Sequence, residues 1–209
     1  HLLSRRQRQM CIRDRVKTMI WLQGGFRVYV NDKDLYDYLS SVYCKGGARE
    51  FDWDFMSHIY EHEFEIVFTE QVPETKNAPI AMGGHLEGCR IGFDAGGSDR
   101  KVSAVIDGET VFSEEVVWFP KVTEDPQYHY DGIVAAFKSA AEHMPRVDAV
   151  GISSAGIFIN NRTMSASLFL SVPKDLYESK VKDIYIRAVK DTFGDIPYAV
   201  ANDLSLIHI

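Results

Sequence analysis

Two tight turns connect three extended stretches in the second half of the chain, and this run restricts the fold more than any other feature of the sequence. The first stretch, Arg90–Asp94, ends in a turn of small residues at 95–98. Lys101–Ile106 then has the alternating pattern of a strand. The hairpin dipeptide Asp107-Gly108 leads into Thr110–Trp118. The sequence therefore predicts three successive strands joined by hairpins.

Helices and strands alternate after this run. Asp131–His143 carries apolar residues at helical spacing, and the short apolar run Val147–Ile152 predicts a buried strand. Lys174–Phe193 predicts a long helix that Gly194 closes, and Pro197–Ala201 predicts a fifth strand. The predicted fold class is therefore α/β, in the order strand, strand, strand, helix, strand, helix, strand.

The first half of the chain is organised differently. Phe26–Val30 and Phe64–Thr69 predict two short strands, and Lys33–Tyr43 predicts a helix with apolar residues on one face. We expect a small α/β accessory module over 16–88, which precedes the α/β lobe over 89–203.

The two ends of the chain share a pattern at the level of coding DNA. Leu204–Ile209 and Met10–Asp14 can be encoded by opposite strands of one DNA string, which resembles a transposase adapter of sequencing libraries. We expect residues 1–15 and 204–209 to be adapter-derived and to contribute nothing to the natural fold. The natural sequence is then 16–203, which is 188 residues of a longer protein.

Charge and cysteine content disfavour several classes of protein. The chain has 23 basic and 30 acidic residues, a net charge of −7; without 1–15 the balance becomes 18 to 29, a net charge of −11. Such acidity disfavours a nucleic-acid partner. No apolar stretch approaches the roughly twenty residues of a membrane helix, so no membrane partner is expected. Cys44 and Cys89 lack metal-site spacing, which favours a reducing, cytoplasmic location.

Three motifs carry a resemblance to a known superfamily. They are Ile91–Ser98 with Lys101–Asp107, Gly151–Gly156 after the fourth strand, and Asn202-Asp203 after the fifth. Their order resembles the N-terminal lobe of the actin-like ATPases, the group of sugar kinases, Hsp70 and actin. Within that group the chain looks most similar to the ROK family of sugar kinases and repressors. The resemblance implies a ribonuclease-H-like lobe that uses ATP and Mg²⁺.

The turn at 95–98 has the chemistry of a phosphate site. Gly96 and Gly97 let backbone N–H groups approach a polyphosphate, and the Ser98 hydroxyl adds a donor where the family usually has threonine. Asp94, at the end of a central strand, is placed to hold the Mg²⁺ that accompanies the phosphates. Lys101 is not assigned a phosphate role, because Asp99 intervenes.

The resemblance also implies a sugar site. Asp203 corresponds to the general base that takes the proton of the attacking sugar hydroxyl, and Asn202 to a residue that binds neighbouring hydroxyls. Gly156 and Asn160 fall in the segment where related kinases touch the sugar. This chain has Ala155-Gly156 where those kinases have a proline-glycine turn, so the resemblance implies no particular sugar.

These residues favour a fragment of an ATP-dependent sugar kinase. The fragment itself is expected to be inactive and to bind ATP poorly, because these kinases complete the cleft with a second lobe. The expected partner is a sugar or sugar-like molecule, and the family allows a homodimer of the longer protein. The alternative is a non-catalytic, sugar-sensing relative; an activator ATPase of the same superfamily ranks third.

Overall fold

The computed structural model describes residues 5–74 and 85–203, which fall into two compact units that divide near residue 80. In the first unit two short strands pair in parallel, with Val28 opposite Ile66. Its elements are α1 (Arg5–Gln23), β1 (Arg27–Val30), α2 (Lys33–Val42), α3 (Glu50–Tyr60) and β2 (Glu65–Phe68). The two predicted strands and the helix between them are confirmed, whereas the sequence patterns did not predict α1 and α3.

The helices of the first unit form around a small apolar core. Leu39 of α2 and Ile59 of α3 are buried, as is Phe64 just before β2. Asp32 begins α2 by accepting a hydrogen bond from the Leu35 N–H, which satisfies one of the free donors of the first turn. Residues 5–15 lie within α1 and 204–209 lie outside the described residues, so their predicted adapter origin stays a prediction.

The second unit is an α/β structure with a mixed five-stranded sheet. Its strands stand in the order β5-β4-β3-β6-β9, in which the first three are antiparallel neighbours and the last two run parallel to β3. The main elements are β3 (Cys89–Ala95), β4 (Asp99–Ile106), β5 (Glu109–Val117), α4 (Pro126–Ala141), β6 (Ala149–Ser154), β7 (Ile157–Ile159), β8 (Arg162–Ser165), α5 (Lys174–Leu176), α6 (Ile184–Phe193) and β9 (Tyr198–Asn202). The predicted class is therefore confirmed for this unit.

Two features of the second unit differ from the predicted order. A short hairpin, β7–β8, stands between β6 and the following helix. The long helix predicted over Lys174–Phe193 is interrupted by a π-helical turn, Tyr177–Val181. A contact from another element meets the chain directly after this turn, where the Lys182 carbonyl accepts a hydrogen bond from the Thr163 N–H of β8 at 2.8 Å.

The strand β3 fixes which side chains face the core. Ile91, Phe93 and Ala95 are almost fully buried, and they pack with α4 residues such as Phe137 in one apolar cluster. Because successive residues of a strand point to opposite faces, Asp94 lies on the opposite face from these residues.

In the described part of the chain, no helix is both long and apolar enough to span a bilayer.

Candidate functional site

Three parallel strands bring the predicted site residues to one edge of the sheet. In the register of β3, β6 and β9, Ala95 lies beside Ser154, and Ser154 beside Asn202. The carboxyl ends of parallel strands meet at the same edge, so Asp94 and Asp203 stand on the same side of the unit. Asp94 belongs to β3 and Asp203 directly follows β9, and these two strands are about 10 Å apart at the usual strand spacing.

The glycine turn between β3 and β4 is closed tightly around its own backbone. A Cβ atom at Gly96 would lie 2.6 Å from the Asp99 carbonyl oxygen, which is closer than any side chain can approach. The constraint comes from this backbone contact, since Gly96 does not adopt a positive φ. Only glycine therefore fits at position 96.

Trp118 holds the same turn from the end of β5. Its indole Nε1–H donates to the Gly96 carbonyl at 2.8 Å, and its backbone N–H donates to the Ser98 carbonyl at 3.1 Å. The ring is buried and packs against Gly132 of α4, where a Cβ would come within 3.2 Å of it. Two hydrogen bonds from a buried side chain and its backbone fix the turn on the core.

The Ser98 hydroxyl is engaged with its neighbour Asp99. It donates to Asp99 Oδ2 at 3.1 Å, while the Lys101 ammonium lies 3.5 Å from Asp99 Oδ1 and 3.9 Å from a Glu115 oxygen. Lys101 is therefore paired with carboxylates rather than directed at the turn. To bind a phosphate, Ser98 would exchange the Asp99 carboxylate for the ligand.

Replacing Asp99 by asparagine should tighten the binding of inorganic tripolyphosphate to this turn. The substitution removes a negative charge beside the phosphate position and releases the Ser98 hydroxyl from a charged acceptor. The expected gain is a severalfold lower dissociation constant, which calorimetric titration of both proteins would measure. Glu115→Gln removes an equal charge on β5 and is the control; an equal effect of both variants would show that only net charge matters.

Tyr185 and Ser154 form a buried hydrogen-bonded pair next to this edge of the sheet. The Tyr185 hydroxyl of α6 donates to Ser154 Oγ at 3.2 Å, and Ser154 Oγ donates to the Ala95 carbonyl at 3.5 Å. Burial raises the pKa of Tyr185 far above its usual range, and the Asp94 carboxylate raises it further, so Tyr185 stays a neutral donor. These contacts connect the ends of β3 and β6 to α6.

Asn202 and Gly156 are brought together at this edge. The Asn202 amide donates to the Gly156 carbonyl at 2.6 Å, which ties the end of β9 to the turn after β6. A Cβ at Gly156 would lie 2.7 Å from the Ser165 carbonyl oxygen. Close packing therefore accounts for this glycine, and the Asn202 side chain contributes to the shape of the edge.

Asn160 lies at the tip of the β7–β8 hairpin, at the far end from Gly156. Asn160 and Asn161 form the tip of the β7–β8 hairpin with φ angles of 52° and 65°, a conformation that asparagine tolerates. Asn161 Oδ1 accepts the Val200 N–H of β9 at 2.9 Å. Gly156 stands at the opposite end of this hairpin, so Asn160 and Gly156 do not meet.

The sequence patterns missed Trp118 and Tyr185 as parts of the site. Trp118 bonds to a residue 22 positions away and Tyr185 to one 31 positions away. Neither contact has a local signal, since a tryptophan or tyrosine among apolar neighbours is usually a core residue. Only the fold shows that their polar atoms reach the site.

Comparisons with known proteins give partial likenesses. No family model matches the chain, and no curated protein matches it. Among solved structures, a glucokinase from Parabacteroides distasonis is similar over 60% of this chain and 34% of its own, with a TM-score of 0.43 and 21% identity. A ROK hexokinase from Thermus thermophilus is similar over 55% of this chain and 35% of its own, with a TM-score of 0.41 and 16% identity.

A third structure belongs to another functional class. RuvC from T. thermophilus, solved in complex with a Holliday junction substrate, is similar over 58% of this chain and 69% of its own, with a TM-score of 0.37 and 13% identity. The chain spans about a third of the length of the two sugar kinases. Likenesses of this size do not assign an activity to the chain. A proposed activity has to rest on the residues of the candidate site.

Proposed function

We propose that residues 89–203 are the nucleotide-binding lobe of an ATP-dependent sugar kinase of the ROK type. One observation carries the proposal: a glycine turn with Asp94 beside it lies at the same sheet edge as Asp203. A phosphate-binding turn and a carboxylate base at one edge are the two groups that phosphoryl transfer to a hydroxyl requires.

The turn and Asp94 fit the triphosphate of ATP with its metal ion. Gly96 and Gly97 present backbone N–H groups without a Cβ, and Ser98 adds a hydroxyl. Asp94 lies between Ser153 of β6 and Lys101 of β4 in the sheet, and the small side chains of Ser153 and of Ala201 beyond it leave room on the β6 side of its carboxylate. Oxygen donors of this kind suit Mg²⁺, which when bound neutralises charge on the β- and γ-phosphates.

Asp203 would accept the proton of the sugar hydroxyl. It follows Asn202 at the carboxyl end of β9, and the bond from Asn202 to Gly156 holds that end in place. A base in this position mainly orients the nucleophile toward the phosphorus, since most of the catalysis comes from positioning and charge stabilisation. The acceptor is a sugar or sugar-like alcohol.

The longer protein would supply the rest of the cleft. We propose that the accessory module 16–88 and the lobe 89–203 are followed there by a second lobe that closes over the nucleotide. The 209-residue chain alone is then expected to bind MgATP weakly and to transfer no phosphoryl group. Sugar phosphorylation by the purified chain would contradict this expectation.

A sugar-panel assay of the complete reading frame tests the proposal. ATP turnover is measured with each sugar in turn and compared with turnover in the absence of acceptor. The proposal predicts turnover that depends on one class of sugar. If the protein binds both ATP and a sugar without turnover, the non-catalytic, sugar-sensing alternative is correct; if it does not bind ATP, both readings fail.

A further inference from the structure

The glycine turn has a lysine at its surface that the sequence motifs do not include. Lys121 lies in a short 3-10 turn, Pro120–Val122, after β5. A Cβ atom placed on Gly97 would lie 2.5 Å from Lys121 Cε and 2.6 Å from Lys121 Nζ. The ammonium group therefore rests directly against the backbone of Gly97, in the middle of the turn.

We propose that Lys121 supplies the cationic contact to the polyphosphate at this turn, a role that rests on the proposed function of the lobe. An ammonium group donates hydrogen bonds to phosphate oxygens and offsets their charge. A lysine that reaches the turn from the segment after β5 approaches the ligand from a different side than the backbone N–H groups of 96–98. The phosphate would thus be held between backbone donors and this side chain.

The backbone on both sides of Lys121 is anchored. The Pro120 carbonyl accepts a hydrogen bond from Nε2 of His129, a fully buried side chain of α4, at 2.9 Å. The Lys121 carbonyl accepts one from the Ser171 hydroxyl at 2.6 Å. These two bonds hold the main chain of Lys121 beside the turn, and its exposed side chain lies over Gly97.

The charges around the turn distinguish Lys121 from Lys101. Lys101 is close to two carboxylates, Asp99 and Glu115. Within residues 7–74 and 85–203, no carboxylate lies within ion-pair distance of the Lys121 ammonium. A phosphate at the turn would therefore be the first anion to pair with Lys121, whereas Lys101 would have to leave its existing partners.

The same contact explains why position 97 is glycine. Gly97 has no positive φ, so its backbone conformation is open to other residues. A side chain there would instead displace the Lys121 ammonium from the turn. The glycine at 97 and the lysine at 121 are thus two parts of one arrangement, and Gly97→Ala should weaken phosphate binding in the same direction as loss of Lys121.

The test is a titration of the 209-residue chain with magnesium tripolyphosphate, followed by nuclear magnetic resonance of the amides of Gly96 and Gly97. The proteins are the wild type, Lys121→Gln and the matched control Lys190→Gln, which removes an equal charge from an exposed position near the end of α6. Loss of one charge-assisted hydrogen bond predicts a dissociation constant about tenfold higher for Lys121→Gln. Lys190→Gln should stay within about twofold of the wild type, since its ammonium lies by the start of β9, at the opposite edge of the sheet from the glycine turn.

The outcomes separate this inference from the proposed function. If the wild-type turn shifts and Lys121→Gln binds equally well, or if Lys190→Gln weakens binding as much as Lys121→Gln, the role of Lys121 is wrong and the phosphate site stands. If the wild-type turn does not shift at millimolar ligand, the phosphate site fails and the role of Lys121 fails with it. The dispersion of each variant's amide spectrum shows whether the fold is retained.

Discussion

Asp203→Asn in the complete reading frame is expected to lower phosphoryl transfer to the sugar by about a hundredfold or more. Asparagine keeps the size of the side chain and its place at the end of β9, but it cannot accept the proton of the attacking hydroxyl. Binding of MgATP should change by less than about twofold, because the phosphate turn lies two strands away and is untouched. Steady-state kinetics with the best sugar acceptor, together with calorimetric titration of MgATP, measure both quantities.

The matched control is Asp195→Asn. Asp195 is exposed and stands just before β9, at the opposite end of the strand from Asp203. The control loses the same charge from the same strand region and should keep full turnover. Unchanged turnover in Asp203→Asn, or an equal loss in Asp195→Asn, would show that Asp203 is not the base.

Gly96→Ala is expected to abolish detectable binding of the triphosphate to the glycine turn. The added methyl would lie 2.6 Å from the Asp99 carbonyl, so the turn has to open. Opening strains the bond from Trp118 to the Gly96 carbonyl and moves the backbone donors away from one another. Titration with magnesium tripolyphosphate measures the loss of affinity, and urea denaturation shows whether the unit remains folded.

Gly151→Ala serves as the control for this variant. Gly151 lies in the neighbouring strand β6, and the nearest atom to an added Cβ there is the Ile91 carbonyl oxygen at 4.0 Å. That separation is an ordinary van der Waals contact, so the control should fold and bind like the wild type. If Gly96→Ala binds tripolyphosphate as well as Gly151→Ala does, the turn is not the phosphate site.

The strands of the five-stranded sheet could be predicted because the turns that bound them have local sequence signals. The turn at 95–98 and the dipeptide Asp107-Gly108 mark the ends of β3 and β4, and alternation of side chains marks the strands between them. The five strands of the sheet, β3, β4, β5, β6 and β9, begin and end within two residues of their predicted bounds, whereas β7 and β8 were not predicted. Register follows from the same pattern, since one face of β3 is buried and the other is not.

The break in the predicted helix could not be predicted in the same way. Lys174–Phe193 has helical spacing throughout, but the Lys182 carbonyl bonds to Thr163 of β8, a residue of another element. Likewise α3 contains several aromatic residues of modest helix propensity, and burial of Met56 and Ile59 stabilises it. Tertiary contacts decide both cases, and a local pattern does not contain them.

The residues of the candidate site likewise separate into those with a local sequence signal and those placed by tertiary contacts. Asp94 and the glycine turn were predictable as strand-end features, because a strand followed by small residues is a local signal. The partners that shape the turn could not be predicted. The Asp99 carbonyl lies against Gly96, and Trp118 donates a hydrogen bond to Gly96 from 22 residues away. The Lys121 side chain reaches Gly97 from the segment after β5. The chemistry of a site residue is visible in the sequence, whereas its partners depend on the fold.

Binding of Mn²⁺ with ATP to the 209-residue chain tests the central claim most directly. Mn²⁺ takes the place of Mg²⁺ and broadens the amide resonances of residues near it. We predict that broadening requires ATP and is strongest at Asp94 and at Ser153 and Ala201, which lie in register with it, with shifts at 95–98. Broadening that is the same without ATP, or that is centred away from this edge of the sheet, would contradict a metal–triphosphate site in this lobe.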